Sequence, residues 1–76
     1  MSQAPEPDAE WNAGHLGCGD LVLELMIRMK TMAPGQLLKL VALDPGAPAD
    51  IPAWCRMTGQ EFVRGEDDEY DVRRVS

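Results

Sequence analysis

Two cysteines and one histidine are the side chains of this 76-residue sequence best suited to nucleophilic chemistry. Cys18 lies in Leu16-Gly17-Cys18-Gly19-Asp20, between a weak strand pattern and an apolar run with helical spacing. A thiolate at a helix start meets the positive end of the helix dipole and N–H groups that have no partner inside the helix. Both favour the ionised sulfur, which is the form that attacks another sulfur. Gly17 and Gly19 leave room for a second protein's cysteine to approach. The competing reading of Cys18 is a buried structural residue, since a free cysteine also behaves as a small hydrophobe. Cys55, beside Trp54 inside a second helical pattern, is read as such a core residue. A Cys18–Cys55 redox pair is the alternative for it, although no C-x-x-C spacing is present.

Other chemistries find little support. His15 stands three residues before Cys18, and on a strand an odd spacing points two side chains to opposite faces. It is therefore read as an exposed strand residue. Two cysteines and one histidine at these separations match no zinc pattern, and no cofactor is expected. No G-x-x-x-x-G-K-S/T run cradles a phosphate. The two serines, Ser2 and Ser76, occupy the termini, and the acids fall mostly in tails and turns, so neither a Ser-His-Asp triad nor a carboxylate pair is indicated.

The elements that must position Cys18 follow from periodicity and punctuation. Residues 1–10, with two prolines and three acids, read as a disordered lead-in to a domain over 11–76. Trp11 to Leu16 is a short candidate strand. Asp20 is a plausible helix N-cap, and Val22, Leu25, Met26, Met29, Met32 and Ala33 form one helical face ending at Pro34-Gly35. Leu23 and Ile27 sit on the other face and could form a small docking patch. Gln36 to Leu43 is strand-like between two turn signals. A second helix is expected from Asp50 to Thr58, with Pro52 in its first turn and Gly59 just past its end. Gln60 to Arg64 and Tyr70 to Val75 complete the pattern as strands around an acidic turn. The order is β-α-β-α-β-β, which predicts an α/β (α+β) two-layer sandwich with both helices on one face of a four-stranded mixed sheet.

Charge and size narrow the function classes. A chain this short has a thin core and no room for a large enclosed active site. With 13 acidic against 7 basic side chains the formal charge is −6, which argues against nucleic acid as a partner. Glu66 to Asp71 carries five acids, read as a solvated turn or as a means of steering towards a basic partner. No arginine- or lysine-led apolar run opens the chain, so no signal peptide is expected. The run Leu21 to Ile27 is interrupted by Glu24 and too short to insert into a membrane. A reducing cytoplasm is the expected compartment.

The segment Asp44-Pro45-Gly46-Ala47-Pro48-Ala49-Asp50-Ile51-Pro52-Ala53-Trp54-Cys55, with Gly59-Gln60-Glu61-Phe62 after it, resembles the second half of TusA/SirA-like sulfurtransferases. Leu16-Gly17-Cys18 resembles that family's nucleophile site, and the likeness covers about Trp11 to Val63. It implies a β-α-β-α-β-β sandwich whose cysteine accepts sulfane sulfur as a persulfide and relays it between sulfur-donor and sulfur-acceptor proteins. Carried over, Cys18 is the acceptor, while Asp44, Asp50 and Pro52 shape the loop and the second helix. The family hallmark is Cys-Pro-x-Pro, whereas this chain has Cys18-Gly19-Asp20-Leu21, a degenerate form lacking both prolines. Ile27 stands where the family often has a lysine. Asp20 adds a negative charge that opposes ionisation of a nearby thiol. Two readings follow: a persulfide carrier acting through Cys18, or a TusA-like binding or regulatory module with weakened or lost transfer chemistry.

Overall fold

A computed structural model describes residues 6–75 of the chain. The elements run β1 (Ala9–Gly14), α1 (Cys18–Lys30), β2 (Leu37–Ala42), α2 (Ala47–Thr58), β3 (Glu61–Glu66) and β4 (Glu69–Arg73). The four strands form one sheet in the order β1-β2-β4-β3. β1 pairs with β2 in parallel, and the other two pairings are antiparallel. This is the expected two-layer sandwich on a mixed sheet.

Register explains which side of the sheet is covered. Leu38 and Leu40 of β2 pair with Val72 and Tyr70 of β4, and Trp11 of β1 pairs with Leu40. Leu38, Leu40, Tyr70 and Val72 share a face with Ala42 and join Leu21, Leu25 and Met29 of α1 and Ala47, Ile51, Trp54 and Cys55 of α2 in one buried cluster, against which the half-buried Trp11 packs. The opposite face carries Leu37 and Val41 of β2 but is cross-linked mainly by charge. Lys39 pairs with Glu69 at 3.0 Å, Arg64 with the buried Asp71 at 3.0 Å, and Arg73 with Glu61 at 3.3 Å.

Several boundaries differ from those expected. β1 opens at Ala9, because Asp8 clamps the neighbouring strand: its N–H donates to the Leu37 carbonyl and its carboxylate accepts from the Leu37 N–H, both at 2.8 Å. The chain is thus tied to the sheet from Asp8 onward, and residues 1–5 of the expected lead-in lie outside the described residues. α1 begins at Cys18 with Gly17 as its N-cap, so Asp20 is a first-turn residue and not the cap. Leu21 lies one turn before Leu25 on the covered face and is fully buried, while Ala33 lies past the end of α1 and is exposed.

α2 likewise begins at Ala47 and not at Asp50. The Asp44 carboxylate accepts the Gly46 N–H at 2.9 Å, and the Asp44 carbonyl accepts the Ala47 N–H at 3.0 Å, starting the turn early. Pro52 consequently lies inside the helix, where its ring nitrogen has no hydrogen to donate one turn back. Gly59 ends the helix with φ of 81°, as its expected place past the C-terminus requires.

The C-terminal part of the chain closes the other end of α1. The Arg74 guanidinium donates to the carbonyls of Met29 at 3.1 Å, Lys30 at 3.2 Å and Met32, supplying a cation where the helix dipole is negative. The acidic turn is a two-residue hairpin in which Asp67 and Asp68 have φ of 50° and 68°. Paired positive φ values give the twist that suits a tight hairpin, and Asp tolerates them better than most residues.

Candidate functional site

The approach to α1 is built from local interactions. Asn12 accepts the Gly14 N–H through its side chain at 2.9 Å, and Gly14 takes a φ of 59° at the end of the strand. Leu16 N–H then donates to the Ala13 carbonyl at 3.2 Å, folding 13–16 into a turn. These contacts bend the chain off β1 and bring it back as α1. His15 occupies that turn and is exposed as expected, but it lies just beyond β1 and not within the strand where it was expected.

Cys18 is the first residue of α1. Its N-cap, Gly17, has an extended backbone (φ −78°, ψ 171°) and no side chain to hydrogen-bond the first-turn amides. Helices usually satisfy those donors with a Ser, Thr, Asp or Asn cap. Here that acceptor is missing, so the helix start is chemically suited to an anion supplied from elsewhere. Leu21 N–H donates to the Gly17 carbonyl at 2.6 Å and closes the first turn.

The other cysteine is in a contrasting setting. Cys55 is 1% exposed within the core, a free thiol, and burial pushes its pKa up to about 11. It is a neutral packing residue, as its place beside Trp54 suggested. Among the described residues no group of three His, Cys, Asp or Glu side chains is arranged to hold a metal ion. No helix there is long and apolar enough to cross a membrane.

Beside the helix start runs a groove of about 320 Å³ between β1 and α1. Trp11, Ala13, Leu16 and Leu23 supply its apolar walls, with Asp20, Glu24 and Arg28 at its edges. Leu16 and Asp20, which line it, stand two residues before and after Cys18. The Arg28 guanidinium lies over the Trp11 ring, 4.4 Å from its centroid. Leu23 and Ile27, suspected from their spacing, are 51% and 48% exposed on the outer side of α1. The roles of Trp11 and Leu16 as walls were not visible in their spacing, because the groove exists only once β1 and α1 are side by side.

Comparison with known proteins then decides the family. The family model for sulfurtransferase TusA matches residues 10–75. The chain belongs to the TusA family. A sulfur carrier protein TusA from Pseudomonas putida (strain GB-1) is 37% identical over 62 residues, covering 82% of this chain and 78% of its own length. The proteins of the same name from Pseudomonas paraeruginosa (strain PA7) and Pseudomonas aeruginosa (strain LESB58) are each 38% identical over 61 residues, covering 80% of this chain and 77% of theirs. The resemblance carried by the Asp44–Cys55 segment is therefore a family relationship over nearly the whole chain. Within that TusA frame, Asp44 has the loop-shaping part expected of it.

Proposed function

We propose that this chain is a sulfur carrier that accepts sulfane sulfur on Cys18 and passes it to a second protein. The observation that carries the reading is the position of Cys18 as first residue of α1, behind a glycine cap without a side chain, in a member of the TusA family. The Cys18 thiolate attacks the outer sulfur of a donor persulfide. A new S–S bond forms at Cys18, the donor's own S–S bond breaks, and the donor leaves as a thiolate, so no external oxidant or reductant is needed. First-turn N–H groups and the helix dipole stabilise the negative sulfur before attack and the persulfide anion after it. Delivery reverses the process: an acceptor nucleophile takes the outer sulfur and Cys18 returns to a thiolate. The partners are sulfur-donor and sulfur-acceptor proteins, and the compartment is the cytoplasm, where free thiols persist.

Intact mass after incubation with a persulfide donor tests this directly. Wild type and Cys55→Ser should each gain one sulfur, released by a reductant, and Cys18→Ser should gain none. Absence of an adduct on the wild type, with ordinary alkylation of Cys18 across pH, would assign the chain to the binding-module reading. Retention of the added sulfur in Cys18→Ser would place the chemistry elsewhere.

A further inference from the structure

The groove beside α1 and the distribution of charge over the fold together describe a partner. β1 and β2 run in the same direction, and both helices return antiparallel to them in sequence order, so the strand ends at Gly14 and Ala42 share one end of the molecule with the start of α1. Two bonds tie that end together: Leu43 N–H donates to the Gly14 carbonyl at 2.8 Å, and Ala42 N–H to the Asp68 carbonyl at 3.0 Å. The hairpin tip with Glu66, Asp67 and Asp68 therefore stands at the same end as Cys18, as do Asp20 and Asp44. Lys30, Arg73 and Arg74 sit at the far end, where α1 finishes and β4 leaves the sheet. Lys39 and Arg64, on the sheet's open face, are held by Glu69 and Asp71.

Apolar groups are exposed at the acidic end. Leu43 is 40% exposed beside Gly14, and Leu23 opens onto the groove whose walls are Trp11 and Leu16. Asp20 and Glu24 border the groove and have no ion-pair partner among the described residues. Arg28 faces the same groove, with its charge stacked on Trp11.

We infer that the β1–α1 groove docks a segment of the relay partner that combines an apolar anchor with Lys or Arg side chains. The anchor enters between Trp11, Leu16 and Leu23, and the cations reach Asp20 and Glu24. Attraction to the acidic end brings the partner to the face that bears Cys18, and it weakens as salt rises. This inference rests on the sulfur-carrier reading for the identity of the partner, but the binding it describes needs no sulfur transfer.

The test accordingly uses the full chain carrying Cys18→Ser, labelled with 15N. The probe is a blocked hexapeptide with two leucines and two arginines, and its control has two glutamates in place of the arginines. The arginine peptide should shift the signals of Trp11, Leu16, Asp20, Leu23 and Glu24. Binding should weaken by about threefold or more in Asp20→Asn/Glu24→Gln and also as ionic strength is raised. Leu23→Ser, at an exposed position that leaves the fold intact, should weaken it comparably. Absence of shifts up to millimolar peptide would overturn the inference. So would equal binding of the glutamate peptide, or shifts centred instead on the separate groove lined by Met26, Trp54 and Thr58. Loss of sulfur loading with peptide binding intact would remove the relay reading and leave the docking site standing.

Discussion

Asp20 and Cys18 share the first turn of α1, so the Asp20 carboxylate and a Cys18 thiolate would draw on the same helix dipole. An acid there stabilises the helix by a few tenths of a kcal/mol up to about 1 kcal/mol. It also disfavours a second negative charge nearby, which for Cys18 means the thiolate. Asp20→Asn should therefore shift alkylation of Cys18 to lower pH, with a rate at neutral pH about threefold higher at low salt and a smaller gain at high salt. Iodoacetamide kinetics measured across pH check this. An unchanged profile would mean that the carboxylate does not act on the sulfur. Cys55 serves as the internal reference, since its burial keeps it protonated and inaccessible in the native chain.

At the scale of the element, α1 starts without the prolines that mark the family motif. Proline presets φ in a first helical turn, and the chain replaces that constraint with a hydrogen bond and a buried side chain. Leu21 carries both: its N–H reaches the Gly17 carbonyl, a bond that proline at this position would lack, and its side chain is fully buried. Leu21→Ala keeps the bond and removes the packing, so it should cost about 2–5 kcal/mol in urea unfolding. It should also loosen the turn that holds Cys18, so sulfur loading should slow even in the fraction that remains folded. A loss below 1 kcal/mol would show that the helix start is held by other means.

Over the whole molecule, burial and charge predict how stability depends on pH. Cys55 and Tyr70 both have pKa values raised in the fold, Cys55 by burial alone and Tyr70 by burial first and then by Asp68. A raised acid favours the folded state while it is protonated. That contribution is complete below the unfolded values of 9.0 and 10.0 and is lost as pH climbs through the folded ones, about 11 for Cys55. Thermal midpoints should hold steady up to about pH 9 and then fall, and Cys55→Ala should flatten part of that fall. An identical alkaline decline in the variant would remove Cys55 from the account. The same global view covers the hairpin acids: they form a tight turn, and the topology sets that turn at the end of the molecule where Cys18 lies.

Local patterning by itself determined the order of elements, the end of α2 at Gly59, the core role of Cys55 and the candidacy of Cys18, because these depend on neighbours in the chain. The likeness around Asp44-Pro45 and Asp50-Ile51-Pro52 carried the family. Tertiary structure alone decided the rest. The Asp8 clamp, the Arg74 cap on α1 and the groove walled by Trp11 and Leu23 each join residues far apart in sequence. Helix starts at Cys18 and Ala47 depended on backbone bonds from Gly17 and Asp44 that no periodicity encodes. The gathering of acids at the Cys18 end required strand direction, a property of the sheet and not of any one segment.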